Sequence, residues 1–199
     1  MVWLWILLGI LLIFLALGLA GFEAACVRRE LPPQALTEEY LRGTSRAKWA
    51  EDFAFSSDWF YAQKPQTLRV MSYDGKMLSA RFLPREDAKG TILLFHGYRS
   101  SGLLDFGPEL EFLHRQGYNL LLCDQRAHGA SQGRYMTFGV RERYDVLSWV
   151  TYLAQMLGAE HPMFLSGMSM GATTVLLASC FTFPANVRGV IADCGFSSP

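Results

Sequence analysis

Four short, uninterrupted apolar runs after residue 90 constrain the fold of this chain more than any other feature of the sequence. Longer stretches that favour helix separate these runs. A short apolar run without polar alternation is typical of a strand that is covered on both faces, as in a parallel sheet. The four predicted strands are residues 91–95, 119–123, 162–166 and 188–193.

Helix and hairpin signals complete this pattern. Residues 108–116 are predicted to form a helix that ends at Gly117, and residues 141–157 carry an apolar stripe at helical spacing that ends at Gly158. Before the first buried strand, two alternating runs flank the Asp-Gly pair at 74–75, which favours a β-hairpin. The sequence therefore predicts an α/β fold with six strands, a mostly parallel sheet and helices on both faces.

The N-terminal residues 2–22 contain no ionisable side chain. As a helix this run would span about 31 Å, which matches the hydrocarbon core of a bilayer. Trp3 and Trp5 lie at one end, where indole rings favour the membrane interface. We therefore expect a single-pass membrane protein with three parts: a transmembrane anchor at 1–22, a helical connector at 23–64 and a partial catalytic domain at 65–199.

Two questions about this N-terminal run stay open in the sequence. A cleaved signal peptide is the alternative to an anchor, because residues 18–20 offer the small side chains that signal peptidase prefers. The side of the membrane depends on Arg28 and Arg29, which follow the run and weakly favour a cytoplasmic domain. An exported domain is the alternative.

Composition excludes several classes of function. The chain has 18 basic and 18 acidic side chains, whereas a nucleic-acid-binding domain needs a strong basic excess. No His or Cys pair has the spacing of metal ligands, and no glycine-rich phosphate loop is present. We therefore expect no metal, no cofactor and no nucleic-acid partner. Three cysteines in or beside apolar runs are expected to be buried: Cys123, Cys180 and Cys194.

The strongest chemical signal is Gly-Met-Ser-Met-Gly at residues 167–171, which follows a predicted strand and precedes a predicted helix. A G-x-S-x-G sequence in this position forms a sharp turn that exposes the serine at the carboxyl end of the sheet. Its flanking glycines, Gly167 and Gly171, let neighbouring backbone come close. Ser169 is therefore a candidate nucleophile beside a helix N-terminus, whose free N–H groups favour an oxyanion.

Two further motifs support a family resemblance. Residues 93–98 read Leu-Leu-Phe-His-Gly-Tyr, and residues 124–133 read Asp-Gln-Arg-Ala-His-Gly-Ala-Ser-Gln-Gly. Together with the Ser169 motif, and in this order, they make residues 65–199 resemble the α/β-hydrolase superfamily, near its serine aminopeptidase-like (Bem46-like) branch. The resemblance implies that the loop at 124–133 is structural. Ala127 stands where the family usually has glycine.

The resemblance also implies roles around Ser169. The backbone N–H groups of Tyr98 and Met170 would form the oxyanion hole. His96 and Gly97 would shape that hole, as architectural residues, while Gly167 and Gly171 support the serine turn. The catalytic Asp or Glu and the catalytic His would follow the seventh and eighth strands, and the chain therefore resembles a hydrolase truncated at its C-terminus.

The function expected from these motifs is a serine hydrolase that acts on an ester, thioester or amide bond of a small-molecule or peptide substrate through an acyl-enzyme at Ser169. The 199 residues alone are expected to be inactive. One alternative is a catalytically inactive, hydrolase-like membrane protein or a gene fragment. A cofactor-free haloperoxidase or lyase on the same scaffold stays open as well.

Overall fold

The computed structural model describes residues 2–197. Its strands are β1 (Gln66–Met71), β2 (Met77–Leu83), β3 (Gly90–Phe95), β4 (Tyr118–Asp124), β5 (Met163–Met168) and β6 (Val187–Asp193). Its α-helices are α1 (Val2–Cys26), α2 (Glu38–Arg42), α3 (Ala50–Ala62), α4 (Gly102–Arg115), α5 (Glu142–Leu157) and α6 (Met170–Ala178), with a short 3-10 helix at Ala47–Trp49.

The strands form one sheet in the order β1-β2-β4-β3-β5-β6. β1 and β2 pair antiparallel as the predicted hairpin, and β2 pairs antiparallel with β4. The pairs β3–β4, β3–β5 and β5–β6 are parallel. The predicted fold class is confirmed, because the sheet has six strands, is mostly parallel and carries helices.

Each face of the sheet packs against a different pair of helices. On one face α5 and α6 cover the sheet, with Trp149 and Val175 among the buried side chains. On the other face α3 and α4 cover it, with Phe60 and Leu110 fully buried. Successive residues of β3 contribute to opposite cores, which is why its sequence is apolar at consecutive positions.

Helix α4 begins six residues before the predicted start at Pro108. The Ser101 side chain accepts a hydrogen bond from the Leu104 N–H at 3.3 Å and caps the helix there. Pro108 therefore lies in the second turn and not at the first helical position, where proline is most common. The expectation that all three cysteines are buried is also partly wrong: Cys123 is buried, but Cys180 and Cys194 are exposed.

Helix α1 continues to Cys26, beyond the predicted end of the apolar run, and none of its residues is buried. By length and composition it is the one helix in the described part of the chain that is able to cross a membrane, and a signal sequence would pass the same test. At the other end of the chain, β6 lies at an edge of the described sheet, and Ile191 is 60% exposed.

Candidate active site

Ser169 occupies the turn that joins β5 to α6. Its φ of 54° and ψ of −116° lie in a region that residues with a side chain rarely adopt, and such strain is concentrated at functional sites. Its backbone N–H donates to the Asp193 carbonyl at 2.9 Å, which fixes the turn to the end of β6. The residue is half-buried. The turn therefore holds Ser169 at the carboxyl edge of the sheet.

The two glycines of the motif are required by close backbone contacts. A Cβ on Gly171 would overlap the Phe95 carbonyl at the end of β3, and a Cβ on Gly167 would overlap the Gly171 carbonyl. These contacts bring the N-terminus of α6 against the end of β3. They place the loop that follows β3 beside Ser169.

In this loop, a Cβ added to Gly97 would lie 3.2 Å from the Ser169 Cβ. The Gly97 N–H donates to Asp105 Oδ2 at 2.6 Å. Within residues 2–197, no hydrogen bond occupies the next backbone N–H, that of Tyr98. On the other side of the serine, Met170 is fully buried as the first residue of α6. Of the two candidate oxyanion donors, Met170 directly follows Ser169 in the chain, and Tyr98 follows Gly97, the residue that approaches Ser169.

Asp105 is a site residue that the sequence analysis missed. Besides the Gly97 N–H, its carboxylate accepts from Ser100 Oγ at 2.6 Å and pairs with Arg46 at 3.3 Å. Its side chain is only 6% exposed. In the sequence it looks like an ordinary acidic residue in the first turn of a helix. In the fold it anchors the loop that carries Tyr98.

His96 and His128 are held as neutral scaffold residues. His96 Nδ1 donates to the Gly97 carbonyl at 2.8 Å, and His96 Nε2 accepts from the Gln125 N–H at 3.2 Å. His128 donates in the same way to the Arg126 carbonyl at 3.0 Å and accepts from the Arg99 N–H at 3.1 Å. Burial lowers the pKa of His96, and burial together with the neighbouring His96 lowers the pKa of His128 to about 4. Neither ring has a free nitrogen to act as a base.

The other two histidines lie away from the serine. His161 Nε2 is 2.9 Å from Thr91 Oγ1, near the amino ends of β3 and β5. His114 contacts the Pro84 carbonyl at 3.2 Å near the end of α4. All four histidines of the chain therefore have other partners. Within residues 2–197, no group of three His, Cys, Asp or Glu side chains is arranged to hold a metal ion.

The loop after β4 is held by a buried arginine. Arg126 makes two hydrogen bonds to Asp145 at 2.6 and 2.7 Å and two longer ones to Asp74 at 3.1 and 3.3 Å. The next residue, Ala127, has a φ of 61°. The departure from the usual glycine is therefore not neutral, because the backbone there needs a conformation that favours glycine. A scaffold role of this loop agrees with these contacts.

An aromatic wall formed by Tyr98, Phe138 and Phe196 was also not predicted. The Tyr98 ring stacks on Phe138 at 5.4 Å, and Phe138 contacts Phe196 at 6.4 Å. Phe138 has a φ of 51°, and its loop is held by Glu142, whose carboxylate accepts from the backbone N–H groups of both neighbours of Phe138. These contacts join the loop after β3, the loop before α5 and the segment after β6.

Comparison with known proteins places these motifs in a family. The family model for serine aminopeptidase, S33, matches residues 86–197. The chain is 31% identical over 114 residues to the uncharacterized protein YqkD of Bacillus subtilis, covering 56% of this chain and 36% of that protein. It is 28% identical over 130 residues to caffeoylshikimate esterase of Arabidopsis thaliana, covering 63% of this chain and 38% of the esterase.

Solved structures are similar as well. The Pyrococcus furiosus esterase Pf2001 superimposes with a TM-score of 0.58 at 28% sequence identity, covering 68% of this chain and 51% of the esterase. The chain thus spans under two fifths of the curated relatives and about half of this solved structure.

Proposed function

Because the chain belongs to the serine aminopeptidase S33 family of the α/β-hydrolases, we propose that it is the nucleophile-bearing part of a serine hydrolase that cleaves ester bonds. The observation that carries this proposal is the strained turn at Ser169, in contact with Gly97 of the loop after β3. Relatives named as esterases favour an ester over an amide or thioester bond.

In the proposed reaction Ser169 Oγ attacks the carbonyl carbon of the substrate and gives its proton to a base. The N–H groups of Tyr98 and Met170 stabilise the negative charge that develops on the carbonyl oxygen. The base returns this proton to the leaving oxygen as the intermediate collapses, which releases the alcohol and leaves an acyl-enzyme. Water, deprotonated by the same base, then cleaves the acyl-enzyme to the acid and free Ser169.

We propose that the base and its carboxylate partner are supplied by residues outside the 199 of this chain. The histidines of the chain are engaged elsewhere, as described above. Without a base, turnover falls on the order of 10⁶-fold. We also propose that α1 is an uncleaved anchor. The length of the uncharged run at 2–22 supports this, because it exceeds the apolar core of a signal peptide, which has about 7–15 residues.

The test is labelling with a fluorophosphonate probe, which reacts with activated serines. The protein expressed from its own locus is treated in isolated membranes, and the modified peptide is identified by mass spectrometry. We expect an adduct on Ser169 that is absent in Ser169→Ala and present in the matched control Ser166→Ala on β5.

Two outcomes would contradict the proposal. Labelling that persists in Ser169→Ala would assign the nucleophile to another residue. A folded wild-type protein without any adduct would favour the second candidate function, a non-catalytic, hydrolase-like binding protein, which the engagement of all four histidines also favours.

A further inference from the structure

The end of α1 is bound to the loop that borders Ser169. Tyr98 Oη donates to the Ala25 carbonyl at 2.7 Å, and the Arg99 guanidinium donates to the Ala24 carbonyl. Both carbonyls belong to the last turn of α1, where they have no partner inside the helix. The side chains of the loop after β3 therefore cap the N-terminal helix.

A second loop, the one after β4, binds the same end of α1. The Met136 N–H donates to the Cys26 carbonyl at 2.7 Å, and the Arg28 N–H donates to the Arg134 carbonyl at 2.7 Å. The Glu23 carboxylate lies 3.3 Å from the Arg134 guanidinium. The loop that follows β4 thus pairs with the chain directly after α1, which fixes where the helix meets the domain.

Before its last turn, α1 packs on the domain at Phe22, whose ring centroid lies 5.2 Å from that of Tyr135, and no residue of the helix is buried. Residues 2–22 are uncharged, and their large apolar side chains are exposed. Such a continuous apolar surface requires a non-aqueous environment. A helix of this length and composition fits the hydrocarbon core of a bilayer. We therefore take lipid as the single occupant around residues 2–21.

The contacts determine which edge of the domain faces that bilayer. Both loops that bind the end of α1 follow the carboxyl ends of parallel strands, β3 and β4. The carboxyl edge of the sheet is also where Ser169 follows β5. The chain leaves the bilayer at residues 23–26, which are bonded to these loops. The edge that carries Ser169 is therefore the edge nearest the membrane.

The side chains around the helix exit have the chemistry of a membrane interface. The Arg99 and Arg134 guanidinium groups lie over the Tyr98 and Tyr135 rings at 4.8 and 5.1 Å. The Arg134 side chain is 66% exposed, whereas Arg99 is half-buried and its guanidinium caps α1. Tyrosines favour the headgroup layer, and arginines bind lipid phosphates.

We propose that the face formed by Tyr98, Arg99, Arg134 and Tyr135 rests on the bilayer surface, and that Ser169 acts on esters of amphiphiles whose acyl chains stay in the membrane. The second half of this proposal rests on the proposed function. Interfacial placement brings an ester carbonyl at headgroup depth to the Ser169 edge. The placement does not bring a water-soluble ester closer to Ser169.

The placement is tested with the two exposed cysteines, one at each edge of the sheet. Cys194 follows Asp193, which bonds to Ser169, whereas Cys180 follows the far end of α6, about 13 Å of helix away. Cys123 is buried, and burial raises the pKa of its thiol, so it does not compete for label. Full-length proteins that keep one of these two exposed cysteines, with Cys26→Ser, are labelled with a fluorophore and reconstituted in vesicles that contain headgroup-quencher lipids.

We expect quenching at Cys194 to be at least about twofold stronger than at Cys180, because lipid quenchers act over short distances from the interface. Equal quenching, or stronger quenching at Cys180, would overturn the placement. This measurement needs no catalytic activity, so it stands or falls independently of the nucleophile.

The substrate class is tested in the same vesicles with two fluorophosphonates, one with a long alkyl chain that partitions into lipid and one that is short and water-soluble. We expect the long-chain probe to modify Ser169 at least about tenfold faster in vesicles, by its higher local concentration. Equal rates, or faster labelling by the soluble probe, would overturn the substrate class. Labelling by neither probe would overturn the proposed function and the substrate class together, and the Cys194 result would still decide the placement.

Discussion

Replacing Arg126 tests how the scaffold beneath the candidate site is held. Arg126 is 2% exposed and binds Asp145 through two hydrogen bonds, while Asp74 binds its other edge. Arg126→Met keeps most of the volume but leaves the buried Asp145 carboxylate without its cation. Removal of one partner of a buried ion pair costs about 3–5 kcal/mol.

The pH dependence of this loss follows from Asp145. Burial raises the pKa of Asp145 to about 6, although the hydrogen bonds and charge of Arg126 oppose that rise. Without Arg126 the pKa rises further. Where the native state binds more protons than the unfolded state, the free energy of unfolding falls as pH increases. The deficit of Arg126→Met is therefore expected to be larger at pH 8 than at pH 6.

The assay is urea unfolding of the full chain in detergent, followed by tryptophan fluorescence, since Trp149 is buried on α5 beside this pair. With an m value of about 2 kcal/mol/M, a loss of 4 kcal/mol lowers the midpoint by about 2 M. Adding Asp145→Asn to the variant should recover at least about 1 kcal/mol at pH 8, because the buried carboxylate left without its cation is then gone.

A matched control is Arg115→Met, which removes an exposed ion pair with Glu111 and is expected to cost under about 1 kcal/mol. The reasoning is refuted if Arg126→Met unfolds within about 0.5 kcal/mol of the wild type. It is also refuted if the deficit shrinks between pH 6 and pH 8.

Three further predictions concern other parts of the site. Gly171→Ala should lose at least about 4 kcal/mol of stability or fail to fold, because the new Cβ overlaps the Phe95 carbonyl at the end of β3. The control Gly189→Ala, whose new Cβ has its nearest neighbour at 3.7 Å, should give a folded protein. Thermal melts that rank the two variants otherwise refute the packing argument. Glu142→Gln should speed hydrogen exchange of the backbone amides at 137–139 about tenfold, because the glutamine side chain cannot accept all three hydrogen bonds that hold this loop. Unchanged exchange, measured by mass spectrometry, contradicts this prediction. The ¹⁵N shifts of His128 should show a neutral ring protonated at Nδ1 at pH 6. The stability that this ring contributes should be lost as pH falls from about 6.5 to about 4, because the unfolded chain then binds a proton that the native state does not. An imidazolium signal at pH 6 would disprove the assignment.

The strands and the serine turn could be predicted because their signals are local. The observed strands agree with the predicted apolar runs to within two residues at each end. The predicted start of α4 is wrong, because proline is typical of a first helical position and Pro108 suggested a start there. The observed N-cap is Ser101, earlier in the chain. The roles of Ser169, Tyr98 and Met170 stay predictions that the labelling experiment tests.

Asp105 and the aromatic wall could not be predicted, for a different reason. Asp105 gains its importance from Gly97, Ser100 and Arg46, and Arg46 lies 59 positions earlier in the chain. Phe138 stacks on Tyr98, from a loop on another part of the chain. No local pattern marks either residue, since nothing in a short window of sequence indicates which distant groups will meet.

The sequence by itself determined the α/β alternation, the serine between a strand and a helix, and an uncharged N-terminal run. Periodicity and turn residues act over a few positions, so these features can be read from neighbouring residues. Only the tertiary structure decided that Asp105 holds the loop after β3, that both buried histidines are neutral, and that the end of α1 lies on the Ser169 edge. The bond between Tyr98 and Ala25 joins residues 73 positions apart, and a contact over such a separation depends on how the whole chain packs.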